Sequence, residues 1–133
     1  MRKRSTDRGA AAVELALLMP LLLLLIFGII DFGRALNAQI TITQAAREGA
    51  RLASLKQPNV VSKTQSAATG LSDVNVSVTA CPGTPTPSSD ATVQTTYTFE
   101  FVTPVGGIAS LFGGGGLGDP ITLTAKGVMP CEA

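Results

Sequence analysis

The sequence contains no histidine, and this absence removes several kinds of functional site at once. Without histidine the chain cannot form a Ser-His-Asp or Cys-His nucleophile pair, and it lacks the commonest metal ligand in proteins. Cysteine is limited to two residues, which do not have the Cys-x-x-Cys spacing of redox or zinc sites. We therefore expect no metal site, no cofactor and no catalytic activity.

Charged side chains are also scarce, at 14% of the chain, and the formal net charge is only +1. Four basic residues stand in the N-terminal tip, at Arg2, Lys3, Arg4 and Arg8, and no basic face follows them. A nucleic-acid partner is not expected, because binding to the phosphate backbone depends on such a face. The asymmetry is instead typical of a protein inserted in a membrane.

A long apolar run follows this basic tip. From Ala10 to Ile30 the only charged side chain is Glu14. As a helix this run measures about 31 Å, which matches a hydrocarbon core of about 30 Å, so it predicts one transmembrane helix and membrane lipid as a partner. Because basic residues precede the run and Asp31 follows it, the N-terminus is expected in the cytoplasm and everything after about Phe32 outside the cell membrane.

Two features of this run allow alternatives. Pro20 removes one backbone donor, which predicts a helix kink there or, as the alternative, a flexible spot without a role. The run also resembles a secretory signal with Gly33-Arg34-Ala35 as its cleavage site, but it is longer than the usual apolar region of about 7–15 residues. We therefore prefer a membrane anchor.

The helical pattern continues beyond the membrane run. Small and apolar residues recur every three or four positions as far as Ala53, and Pro58 disfavours helix at the residue before it. The sequence thus predicts three parts: a cytoplasmic basic leader at residues 1–9, a transmembrane and extended helix at residues 10–57, and an exported head at residues 58–133.

The stretch AAREGARLA, residues 45–53, lies near the end of the predicted helix. Arg47 and Arg51 are four residues apart and share a face, while Glu48 and Gly49 fall on other faces. Glycine at position 49 leaves room for close approach of another backbone or a sheet. The alternative is a solvated helix with a packing face of small residues.

Three stretches of the head alternate between apolar and polar residues, as strands do: VNVSVTA (74–80), TVQTTYTFEFV (92–102) and ITLTAKGVM (121–129). They predict an α+β fold in which a long N-terminal transmembrane helix extends into a small, pilin-like head with a three-stranded antiparallel sheet, or a four-stranded one as the alternative. The middle stretch carries half of the six aromatic residues, which predicts the centre of the sheet.

The connection between the second and third strands, TPVGGIASLFGGGGLGDP, is predicted to be a loop. It is rich in glycine, but no Gly-Lys-Ser/Thr follows, so it is not a phosphate-binding loop. Its apolar residues Leu111, Phe112 and Leu117 suit a contact surface, and the alternative is a connector partly tucked onto the head.

The two cysteines lie near the ends of the first and third predicted strands, at Cys81 and Cys131. Both belong to the exported part of the chain, where an oxidising compartment allows disulfides. We predict an intramolecular disulfide between them, with free thiols as the alternative.

The position of Glu14 connects these observations. Gly9 followed by AAAVE places Glu14 fifth in the chain that a cut after Gly9 would leave. This arrangement resembles a class III signal peptide, which a prepilin peptidase cleaves. Together with Pro20, Gly28, Gly33 and AAREGARLA, the pattern resembles the TadE-like family, minor pseudopilins of tight-adherence (Flp-type) pilus systems.

The resemblance implies peptidase recognition at Arg8, Gly9 and Glu14, with cleavage between Gly9 and Ala10. It implies a structural role in pilus assembly, with the prepilin peptidase, other pilins or pseudopilins and the inner-membrane platform as partners. Glu14 would then set the assembly register by pairing with the new amine of a neighbouring subunit; the alternative is an acid that snorkels to water. A membrane-anchored extracytoplasmic binding module is the alternative function.

Overall fold

The structure, a computed structural model, describes residues 4–86 and 88–132, with side chains from Gly9 onward. Residues 1–3 of the predicted leader and the side chain of Arg8 lie outside the described part. The elements in chain order are α1 (Arg4–Ser54), α2 (Val60–Ala67), β1 (Asn75–Thr79), β2 (Asp90–Phe99), α3 (Val105–Ser110) and β3 (Ile121–Pro130).

The chain divides into two compact units. The first, which we call the anchor unit, contains the described residues up to Gly33 together with Glu100–Asp119. The second, the head unit, contains Arg34–Phe99 and the chain from Pro120 onward. Helix α1 contributes its N-terminal part to the anchor unit and its C-terminal part to the head unit.

Helix α1 is strongly apolar in the anchor unit. Over Gly9–Ser54 it contains a window of mean hydropathy 2.7, and among the described residues it is the one helix long and apolar enough to cross a membrane. Its leucine and isoleucine side chains are mostly exposed in this part, as lipid contact requires. Pro20 lies inside α1, and the helix continues through it.

The head unit contains a three-stranded antiparallel sheet in the order β1-β2-β3. The predicted α+β fold with a three-stranded sheet is therefore confirmed, and so is the central position of the middle strand. Alternate residues of β2 are buried, including Val93, Thr95 and Phe99, because successive side chains of a strand point to opposite faces.

Small side chains of α1 form the core of the head unit with this sheet. The most buried of them, with 0% exposure, are Ala45, Ala46 and Ala50. They pack in two clusters with residues such as Val74 and Val93. Thr95 adds a polar contact, since its hydroxyl donates to the backbone carbonyl of Ile42 at 3.0 Å.

The prediction that the connection between β2 and β3 is a loop is wrong for Val105–Ser110, which form the short helix α3 of six residues. Its sequence, VGGIAS, contains two glycines, which are the poorest helix formers apart from proline, so the local sequence did not predict a helix here. Two of its side chains, Val105 and Ala109, are buried. Helix α1 ends at Ser54, and Lys56 follows with a positive φ of 52°.

Candidate functional site

The predicted cleavage position lies within α1. Gly9 and Ala10 are both helical and exposed. A protease binds its substrate in extended form, so cleavage between Gly9 and Ala10 requires local unwinding of the helix. Glycine makes this unwinding easier, because its helix propensity is about 1 kcal/mol lower than that of alanine. The exposed Glu14 follows Ala10 by about 6 Å of axial rise, on the same side of the helix.

The AAREGARLA stretch packs on the head sheet through its small residues. Gly49 is buried, and a Cβ atom added there would collide with the Thr64 hydroxyl of α2 and lie 3.0 Å from Cγ1 of Val93 in β2. A second close approach occurs at Gly127 of β3, where an added Cβ would lie 2.9 Å from the backbone nitrogen of Arg47. Glycine at both positions lets the helix lie directly against the sheet.

The charged residues of the same stretch lie on the opposite side of the helix. Arg51 donates two hydrogen bonds to the Glu48 carboxylate, from Nε at 2.9 Å and from an Nη atom at 2.7 Å. These hydrogen bonds, together with the guanidinium charge, hold the pKa of Glu48 below its ordinary value. The same hydrogen bonds, together with the carboxylate charge of Glu48, hold the pKa of Arg51 above its ordinary value. Arg47 is also exposed, so this stretch combines a packing face with a charged outer face.

The structure joins Cys81 and Cys131 in a disulfide, as predicted. The bond connects the chain just after β1 to the chain just after β3, which are the two edge strands of the sheet. It closes a loop with a sequence separation of 50 residues. By the chain-entropy estimate, a loop of this length stabilises the fold by about 4 kcal/mol.

Asp31 is a site residue whose structural role the sequence did not reveal. Its side chain is fully buried, and its carboxylate accepts hydrogen bonds from the backbone N–H groups of Val102 and Thr103, both at 3.3 Å. The Thr103 hydroxyl donates a further hydrogen bond to it. A single acid directly after an apolar run was the only local sign of this contact.

An apolar groove lies in the anchor unit beside α1. Its lining combines the helix with two residues of the segment around α3: Ala12, Leu15, Ala16, Met19, Pro20, Leu23, Ile108 and Leu111. Pro20 thus belongs to the groove wall. Among the described residues no group of three or more His, Cys, Asp or Glu side chains could hold a metal ion.

One long apolar helix, a small head with an antiparallel sheet and a packing stripe of glycine and alanine define a helix-anchored α+β protein, consistent with single-pass membrane anchoring. Residues 9–51 match the family described as TadE-like protein. This match confirms the resemblance seen in the sequence, and it implies involvement in Tad pilus systems. No curated protein and no solved structure matches the chain.

Proposed function

We propose that this protein is a minor pseudopilin of a Tad/Flp-type pilus system, cleaved by a prepilin peptidase between Gly9 and Ala10. The observation that carries the proposal is the family match over residues 9–51, which includes Gly9, Glu14 and residues 47–51 (REGAR) of the AAREGARLA stretch. Its role is structural: it takes part in pilus assembly, for adhesion and surface colonisation, and catalyses no reaction of its own.

The chemistry of the new N-terminus supports a role for Glu14. Cleavage creates an α-ammonium group on Ala10 within an apolar helix, one turn from the Glu14 carboxylate. In a single subunit both charges lie near the membrane interface, but in the apolar core of a helix bundle an unpaired charge is costly, so both charges favour a partner there. Staggered parallel helices allow Glu14 of one subunit to pair with the Ala10 amine of the next, which neutralises both groups.

The orientation follows from the charges that flank the anchor. The basic residues before it favour the cytoplasm, so the head lies outside the cell membrane, where the disulfide between Cys81 and Cys131 is stable. The partners are the prepilin peptidase, other pilins or pseudopilins, and the inner-membrane platform of the pilus machine.

The test is the intact mass and N-terminal sequence of the protein from its native membrane, with and without the prepilin peptidase. We expect a start at Ala10 that depends on the peptidase. Retention of residues 1–9 in both strains would contradict the proposal and favour a membrane-anchored binding module. A start at Leu36 would identify the apolar run as an ordinary secretory signal.

A further inference from the structure

The connection from β2 to β3, which includes α3, contains an uncharged stretch at residues 101–118. We call this stretch the apolar loop. The acidic residues Glu100 and Asp119 border it on both sides. Large apolar side chains are exposed on its surface: Val102 at 66%, Leu111 at 80%, Phe112 at 68% and Leu117 at 57%. Side chains of this size and exposure, close together in one loop, favour contact with an apolar environment.

The position of the apolar loop beside α1 indicates what that environment is. The loop begins at the level of Asp31, which binds the backbone of Val102 and Thr103. Further along, Ile108 and Leu111 line the same groove as Leu23 and residues before it in α1. Leu23 lies about 12 Å along the helix axis from Asp31, so the loop runs back along the apolar part of the anchor helix.

The backbone of the apolar loop pairs largely with itself. The N–H groups of Phe112 and Gly114 both donate to the carbonyl of Ala109, at 3.0 and 2.9 Å. Gly118, whose φ of 100° suits glycine, approaches Gly106 so closely that an added Cβ would lie 2.9 Å from its Cα. Internal pairing of this kind is what a backbone needs in lipid, where no water can replace a missing partner.

We propose that the apolar loop is a second membrane-inserted element, which enters the bilayer beside the anchor helix from the Ile30 end and exposes Leu111 and Phe112 to lipid acyl chains. The occupant of this surface is lipid, because the loop is continuous with the lipid-facing surface of α1 in the same unit. Ile108 and Leu111 of the loop line a groove with Leu15 and Met19 of the helix. A bilayer that covers residues 10–30 of the helix therefore also covers these two loop side chains. This inference depends on the anchor, and not on cleavage or a pilus role.

The absence of tryptophan from the chain provides a clean test. We would place a single tryptophan by Phe112→Trp, and in a second protein by Leu111→Trp, and reconstitute each full-length protein in phospholipid vesicles. Leu18→Trp in the anchor serves as the lipid-exposed control, and Val128→Trp on β3 as the water-exposed control, since both native side chains are about half exposed. Circular dichroism and the intact disulfide verify folding of every variant.

The measurement compares fluorescence quenching by phospholipids brominated in their acyl chains with quenching by acrylamide in water. We expect Phe112→Trp and Leu111→Trp to resemble Leu18→Trp, with strong quenching by brominated lipid and weak quenching by acrylamide. Quenching like that of Val128→Trp would show a solvated loop and overturn the proposal. Protection from both quenchers would also overturn it, because protein rather than lipid would then cover the loop.

Discussion

The buried carboxylate of Asp31 accepts a hydrogen bond from the hydroxyl of Thr103, which lies 72 residues further along the chain. The backbone N–H groups of Val102 and Thr103 donate to the same carboxylate. One side chain at the end of the apolar run thus fixes the start of the apolar loop against the anchor helix.

Asp31→Ala should release the start of this loop. Hydrogen bonds to a charged group contribute about 2 kcal/mol, so hydrogen exchange at the Val102 and Thr103 amides should become roughly 30-fold faster. Thr103→Val is the matched control, since it removes the hydroxyl and keeps the backbone donors, and its effect should be smaller. Unchanged exchange in Asp31→Ala would show that the carboxylate does not hold the loop.

Gly49→Ala should destabilise the head unit by about 1–3 kcal/mol, because the added methyl overpacks the contact with Thr64 and Val93. Gly33→Ala is the control: an added Cβ there meets nothing within 4 Å, so alanine should be neutral or stabilising. Thermal unfolding followed by circular dichroism compares the two. Adding Thr64→Ala to Gly49→Ala should restore part of the lost stability, and equal melting temperatures for both glycine variants would contradict the packing explanation.

Removal of the disulfide by the double substitution Cys81→Ser and Cys131→Ser should cost about 4 kcal/mol. A loss of this size is a large fraction of the stability of a small domain, which is about 5–15 kcal/mol. Urea unfolding of the native and substituted proteins measures it. Reduction of the native protein should lower its unfolding midpoint, and the double variant should not respond to reductant; a native midpoint that reductant leaves unchanged would argue against a stabilising bond.

Glu48→Gln should have a small effect on stability that depends on pH. Because the pKa of Glu48 is lowered in the folded protein by its hydrogen bonds from Arg51, the pair stabilises the fold above the ordinary glutamate pKa. This contribution is lost as the pH falls through the lowered pKa, so the native and variant melting curves should converge in acid. High salt should reduce the difference further, since the pair is exposed.

Glu14→Gln should reduce incorporation into pili by about tenfold or more, if the carboxylate neutralises the amine of a neighbouring subunit. The measurement is the amount of protein in sheared pili relative to the membrane fraction, in cells with active prepilin peptidase. Glu132→Gln, which removes an exposed acid outside the anchor, is the control. Cleavage must be verified for both, and normal incorporation of cleaved Glu14→Gln would show that the charge does not guide assembly.

Local sequence patterns determined much of this protein. Hydropathy predicted the anchor from the apolar run that begins at Ala10. Periodicity predicted the sheet from the alternation in β2, and the packing face from the small-residue stripe through Gly49. These patterns depend only on residues that are close together in the sequence. The disulfide was predicted differently, because the chain has only two cysteines and both lie in the part expected to be exported. The anchor, the sheet and the packing face need no knowledge of which distant segments meet.

Only the tertiary structure decided which distant residues meet. Asp31 was visible as a flanking acid, but its bond to Thr103 depends on a loop far along the chain. The sequence showed that Gly49 leaves room for a close neighbour, but that the neighbour is Thr64 depends on how α2 packs against α1. Helix α3 has little helix propensity of its own, so the local sequence did not predict it; in the structure its residues Val105 and Ala109 are buried.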